Sequence, residues 1–412
     1  MLKDRRLLLI YAIVFVDVVV GSAISPILPD FVKGRPEPQL WLAVGTALFL
    51  GIQLFSAPLL GKLSDSIGRR PVMRLAATGT FLADLLLLPI RTWAYLSNRL
   101  SDGLTNGMYA TVRSAIADIS PKEDLFRNMG IEGTIVSFGF VLGPMVSGLL
   151  LTALDVPAPE QARTVVQIAI GLSALNLLLS FLLKETHRNR SPLEPAQLRR
   201  EVVRSLNVLT LWNRLRMKDR DKPGLMILVV MQICLMMSQG YYFYFVTFIS
   251  LGPLHLDARG ISFFFMYFGL LSVVINFVFY TYLADRIDQR RTIVWFALAG
   301  LLIHVAYANV GTSLFGLYAI VTVDCLTISL IWGLLEGLTA RLTTDDDRGE
   351  IFGINQALNG LASFTTTVVF GGLSILDLRF PFYWFALCIA AVGALAWWKF
   401  RPVPNLEEST RV

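Results

Sequence analysis

The chain has 412 residues, 55% hydrophobic and only 16% charged, with a mean hydropathy of +0.60 and a formal net charge of +6. A soluble domain carries about a quarter of its residues as charged ones, so this composition excludes a soluble globular protein and points to a chain dissolved in lipid. The basic balance would suit nucleic acid, but the charges are confined to short stretches between apolar runs, which excludes that partner.

A membrane helix needs about 20 mainly apolar residues. The first such run spans 7–30 and continues past Asp17 without a small-residue cleavage site, so it reads as a span and not as a signal peptide. Further runs follow at 40–60, 72–90, 94–117, 128–152 and 163–184. A polar, basic stretch at 185–223 separates them from runs at 224–250, 260–284, 292–310, 314–340, 350–375 and 381–400. The expected fold class is an all-α membrane protein of twelve transmembrane helices in two pseudo-symmetric six-helix bundles. The expected domains are a first bundle at 1–184, a basic linker at 185–223, a second bundle at 224–400 and a tail at 401–412.

With the N-terminus placed in the cytoplasm, cytoplasmic segments hold 28 Lys and Arg residues and the opposite side holds 6. The positive-inside rule therefore predicts that both termini and the linker are cytoplasmic. The same face meets anionic lipid headgroups. Within the linker, Leu206, Leu209, Trp212 and Leu215 among arginines predict a helix lying on the inner leaflet, with a protein-docking segment as the alternative.

The two halves repeat. Gly61 to Arg70 (GKLSDSIGRR) and Thr281 to Arg290 (TYLADRIDQR) share Leu, Asp, Ile and the final Arg at an offset of 220 residues. The same offset lays Asp102 near Asp324. Two repeated six-helix halves around a central loop are the architecture of many secondary transporters, with the substrate site between the halves near the bilayer midplane.

Several motifs carry a family resemblance. The stretch Gly61-Lys-Leu-Ser-Asp65-Ser-Ile-Gly68-Arg69-Arg70 resembles the signature loop of the major facilitator superfamily, and Arg99 to Gly103 is similar to its Arg-x-x-x-Gly. Gly139, Gly143, Pro144 and Gly148 in helix five resemble the Gly-Pro motif of proton-coupled drug antiporters. Asp17 with Pro26 and Pro29, Asp84, and Ala117-Asp118-Ile119 are similar to the tetracycline/proton antiporters. The resemblance covers the N-terminal half well and the C-terminal half in outline. It implies that Asp65, Arg69 and Asp118, with Gly61, Gly68 and Arg70 in the same loop, form a cytoplasmic gate, and that Asp65 faces the start of helix eleven near Gly349 to Gly353. Read physically, the small loop residues permit a tight turn, the helix-five glycines permit close helix packing, and Arg70 and Arg74 also serve the positive-inside bias.

Charges inside a membrane cost at least about 2.5–3.5 kcal/mol each on insertion scales and are functional candidates by default. Arg99, Asp102, Asn106 and Arg113 follow i, i+3, i+7, i+14 spacing, so they share one face of helix four. That face is expected to line the central cavity. Arg99 and Asp102 can pair along the helix, either as a structural pair or as part of the site. Arg113 has no acid one turn away. Asp102 and Arg113 stand where the related antiporters have small or amide residues, and the added arginine points to a substrate with an anionic group or its own acceptors. Asp17 lies halfway along helix one. Burial disfavours a lone charge, and an acid that can lose its charge can take a proton on one side and release it on the other. Asp17 is the leading proton carrier, then Asp102, then Asp84, for which a structural role is equally open.

In the second half the cavity candidates are Gln239, Tyr241, Asn276, Asp324, Gln356 and Asn359. The Tyr241-Tyr-Phe-Tyr244 run reads as an interfacial belt or an aromatic wall for substrate. His304 reads as a packing histidine, and Asp345 to Asp347 as a solvated loop capping helix eleven.

Three scattered histidines and Cys234, Cys325 and Cys388 form no metal or disulfide pattern. Without a soluble catalytic segment or a Gly-x-x-x-x-Gly-Lys loop, no enzyme, metal or cofactor is expected. The expectation is a monomeric, multi-pass transporter of a bacterial inner membrane. It exports small organic molecules by proton antiport through alternating access. The alternatives are proton-coupled uptake of an anionic solute and a non-transporting sensor or scaffold.

Overall fold

A computed structural model of the chain describes residues 5–106, 108–187, 207–283, 286–344 and 347–399. The tail 401–412, residues 188–206 of the linker, and Asp285, Asp345 and Asp346 lie outside the described residues. Lipid offers no partner for backbone N–H and C=O groups, so apolar runs of this length satisfy them internally as helices. In order these are α1 (Arg5–Ala23), α2 (Pro38–Ile67), α3 (Arg69–Leu85), α4 (Thr92–Asn106), α5 (Met108–Ile119), α6 (Lys122–Ala153), α7 (Ala158–Leu182) and α8 (Val208–Asp221). They continue as α9 (Leu225–Ser238), α10 (Tyr241–Leu251), α11 (Ala258–Val278), α12 (Gln289–Ala308), α13 (Leu314–Cys325), α14 (Ile328–Leu342), α15 (Arg348–Leu376) and α16 (Phe380–Trp398). Pro26 and Pro29 follow the end of α1, where the chain tightens into a 3₁₀ stretch over Ser25–Val32.

Among the described residues, 10 stretches are long and apolar enough to cross a membrane. The two other expected spans, 72–90 and 94–117, are helical as α3, α4 and α5, but these helices have 17, 15 and 12 residues and each by itself falls short of the length that marks a crossing.

The backbone divides into two compact units, the described parts of Met1–Leu206 with Phe245–Gly269, and of Asn207–Tyr244 with Leu270–Val412. In the first unit α1 packs on α6 and α7, α2 on α4, and α3 on α7. The helix-five glycines make the α1 contact possible. Val18 lies against Gly139, and Val19, Ser22 and Ala23 lie against Gly143. The Ser22 hydroxyl donates to the Gly139 carbonyl at 3.1 Å, and that of Ser147 to Ala23 at 3.0 Å. The Phe245–Gly269 segment joins this unit through Arg259, whose Nη2 donates to the Leu151 and Val156 carbonyls at 3.0 and 2.9 Å. Gln161 Nε2 also donates to Asp257 at 2.9 Å.

In the second unit α12 packs on α16, and α9 on α15 and α16. The linker helix α8 departs from the expectation of a helix on the leaflet alone. Leu211 and Leu215 are buried with Leu225, Val229, Ile351 and Ile354, while Leu209 and Met217 stay exposed. Lys218 pairs with Glu350 at 3.1 Å, and Lys222 with Asp347. The amphipathic pattern thus serves a protein core first.

One device occurs in both units. Arg74 of α3 donates to the carbonyls of Ser180 and Phe181 at the end of α7. Arg290 of α12 donates to those of Ala396 and Trp397 at the end of α16. Each arginine meets unsatisfied carbonyls at the negative end of a helix dipole.

Candidate functional site

The four residues expected on one face of helix four fall on two helices, Arg99, Asp102 and Asn106 on α4 and Arg113 on α5. Arg99 Nη2 lies 3.5 Å from Asp102, and its guanidinium stands 5.7 Å from the Phe49 ring centroid. Its Nε and Nη2 also donate to Asn98 Oδ1 at 3.0 and 2.7 Å. Asn98 is itself buried and donates to Asp84 at 3.5 Å. Asp84, Asn98, Arg99 and Asp102 therefore form one connected polar chain. Asn106 accepts from Gln53 of α2.

Asp17 is 9% exposed. Its two oxygens accept from the Tyr109 hydroxyl at 3.1 Å and from Asn176 Nδ2 at 3.2 Å. Both donors are neutral, and no cation lies within ion-pair distance of Asp17 among the described residues. Tyr109 and Asn176 were not candidates from sequence, because nothing in an isolated helix says which neighbour will face it. Arg113, without a partner on its own helix, finds one on α6. Its Nε lies 3.5 Å from Glu132, and the arginine is 56% exposed while the glutamate is 2% exposed.

The loop residues expected as a gate meet at Arg69. Its guanidinium pairs with Asp65 at 2.5 Å and Asp118 at 3.0 Å, and it donates to Ser64 Oγ at 2.6 Å. His187 lies 3.4 Å from Asp118. Gly68 has a φ of +107°, which favours glycine, and a β-carbon there would collide with Glu185. Glu185 accepts from the backbone N–H of Arg69 at 2.9 Å and of Arg70 at 3.4 Å. This satisfies two orphan donors at the start of α3. Sequence reasoning missed Glu185, which sits in a polar stretch and looks like a solvated residue. Gly61 brings α2 close to Ala110 of α5.

In the second unit Tyr241 and Asp324 come together. Asp324 is fully buried and accepts from the hydroxyls of Tyr241 and Tyr307, each at 2.8 Å. Tyr241 and Tyr244 are buried inside the unit, so neither belongs to a surface belt. The Tyr244 hydroxyl donates to the Leu378 carbonyl at 2.8 Å. His304 lies with its Nε2 3.0 Å from Ser238 Oγ and its ring edge-on to Tyr241. The other candidates do not join this cluster by a hydrogen bond. Gln239 is half-buried, Gln356 is exposed, Asn276 donates within its own helix to Ser272, and Asn359 donates to Asn355. Asp347, the described member of the acidic run, makes no capping bond at α15. It pairs with Lys222, whose hydrogen bond holds its carboxyl down at about 2. Among the described residues no group of acids, histidines and cysteines is arranged to hold a metal.

A family model described as Major Facilitator Superfamily matches residues 7–338 and, in an overlapping match, 252–412. The chain belongs to the major facilitator superfamily. That family is one of multi-pass membrane transporters rather than enzymes. Among its relatives, the class E tetracycline resistance protein of Escherichia coli is 32% identical over 189 residues, 45% of each chain. The chain thus spans less than half the length of the tetracycline resistance proteins it matches. Multidrug resistance protein 2 of Bacillus subtilis (strain 168) is 22% identical over 94% of this chain and 93% of its own. Solved superfamily structures share the fold. The human organic anion transporter MFSD10 (TETRAN) superposes with a TM-score of 0.66 at 20% identity, covering 96% of this chain and 99% of its own. The nucleoside transporter NupG superposes with a TM-score of 0.73 at 12% identity, covering 96% of this chain and 100% of its own.

Proposed function

We propose that this superfamily member exports small organic molecules in exchange for protons, with Asp17 as the principal proton carrier. The observation that carries this reading is the setting of Asp17. A carboxyl in the middle of an apolar helix is held by one phenol and one amide, with no cation within ion-pair distance among the described residues. It can exchange a proton without breaking an ion pair, whereas Asp102 and Glu132 each have an arginine beside them. The likeness to tetracycline and multidrug resistance proteins supports export. Asp102 and Asp84 are the next proton sites, being linked through Asn98 and Arg99. Arg69 with Asp65 and Asp118 is the gate on the cytoplasmic side. The protein works as a monomer in the inner membrane with both termini in the cytoplasm, and its two halves alternate access to a central site.

The test is accumulation of a panel of labelled drugs in cells lacking their main efflux pumps, with and without a protonophore. Wild-type protein lowers accumulation of at least one compound, and both Asp17→Asn and the protonophore abolish the effect. Raised accumulation with the same dependence would replace export by uptake. Full export by Asp17→Asn would remove Asp17 from the mechanism.

A further inference from the structure

The pairing of Arg113 with Glu132 is lopsided in a way a structural ion pair is not. The two side chains touch at a single 3.5 Å approach through Arg113 Nε. Glu132 is 2% exposed and its Oε1 has no hydrogen-bond partner among the described residues, while Arg113 is 56% exposed. A carboxylate fully matched to a guanidinium takes two parallel N–H···O bonds from the fork. Here the two Nη groups make no hydrogen bond among the described residues, and the side chain is more than half exposed. The neighbouring stretch of α6 is uncrowded. Gly130 and Gly133 have no atom within 4 Å of where a side chain would begin. The groups facing Glu132 are Arg113 and Tyr109 from α5 and Tyr11 from α1.

The exposed guanidinium fork is thus left with a partner that matches it at one nitrogen only. We propose that Arg113 is the recognition site for an anionic group, a carboxylate or sulfonate, on the transported molecule. Glu132 is its internal stand-in and holds the guanidinium by one nitrogen when the site is empty. Substrate takes the free Nη pair and displaces Glu132, which is already set back in the protein. The inference rests on the reading of the chain as a carrier of small organic molecules and narrows the class to organic anions. Competition sets its size. If Glu132 holds the guanidinium about nine-tenths of the time, the apparent affinity for an anion is roughly tenfold below the intrinsic one.

The test uses the purified full-length chain in lipid nanodiscs. Binding of 1-naphthoate, 1-naphthalenesulfonate and the neutral isostere 1-naphthamide is read from tryptophan fluorescence. In wild-type protein the two anions bind more tightly than the amide. Glu132→Gln widens that preference by about tenfold, and Arg113→Gln abolishes it. Arg113→Lys, which keeps the charge and the fold but loses the fork, gives an intermediate preference. Equal binding of anions and amide in the Glu132→Gln protein, no anion binding to it at all, or weaker anion binding than in wild type would each overturn the proposal. The accumulation assay with Asp17→Asn decides the transport reading separately. Anion preference without proton-driven flux would sink that reading and leave this site standing, and flux without anion preference would do the reverse.

Discussion

Gly143→Ala is expected to destabilise the first unit, although the same change elsewhere in a helix usually helps. Alanine favours a helix over glycine by about 1 kcal/mol. At position 143 the added methyl would lie 2.7 Å from both Val19 O and Ala23 N, and closer still to Ser22 Oγ. Two of these three atoms are backbone of α1 and cannot rotate away, so α1 and α6 must move apart. Overpacking of that kind costs about 1–3 kcal/mol. Ser22 also loses its bond to Gly139, worth about 1 kcal/mol. The net is a loss of about 1–3 kcal/mol, roughly thirtyfold in the folded-to-unfolded ratio at the middle of that range. The assay is thermal unfolding of the purified protein followed by size-exclusion fluorescence. Gly171→Ala is the control, because no atom lies within 4 Å of its added methyl, and it should be neutral or slightly stabilising. In a Ser22→Ala background the Gly143→Ala penalty should shrink but persist, since the backbone clashes remain. Equal melting of Gly143→Ala and Gly171→Ala would refute the close-approach argument.

Two further perturbations test other parts of the molecule. Tyr307→Phe removes one of the two phenols that hold the buried carboxyl of Asp324. It should cost about 1–3 kcal/mol, and Tyr241→Phe combined with it should depart from additivity because both act on one acceptor; thermal unfolding of the single and double variants checks this. The docking of α8 depends on Asp347, whose hydrogen bond to Lys222 holds its folded pKa at about 2, below the unfolded value near 4. A depressed carboxyl contributes stability that is full above the unfolded value and lost as pH falls through the folded one. The protection factors of the α8 amides, normalised for the intrinsic exchange rate at each pH, should therefore stay flat from pH 8 to pH 5 and fall below pH 4, and Lys222→Ala should lower them at neutral pH.

Much of this architecture is legible in the residues. Apolar run length places the helices, because lipid leaves a backbone no other partner. Helical periodicity pairs Arg99 with Asp102 on one helix, and the family resemblance of the loop brings Arg69 together with Asp65 and Asp118. Partners on other helices are what periodicity does not reveal. Glu132 for Arg113, Asn176 and Tyr109 for Asp17, and Tyr307 for Asp324 are 19, 159, 92 and 17 residues away along the chain. Only the packing of one helix on another decides such pairs. Leu211 and Leu215 show the same limit from the apolar side. A leucine stripe looks alike whether it meets lipid or the flank of another helix, and here α9 and α15 claim it.

Glu185 has a mechanical consequence. One of its oxygens accepts from the N–H of Arg69 and the other from that of Arg70, while the first also accepts from Thr186 and His187. A single carboxylate thus rivets the strand leaving α7 to the turn that opens α3, one residue from the guanidinium that gathers Asp65 and Asp118. In the gate proposed above, the exit of α7 and the opening turn of α3 then move as one piece with the Arg69 cluster.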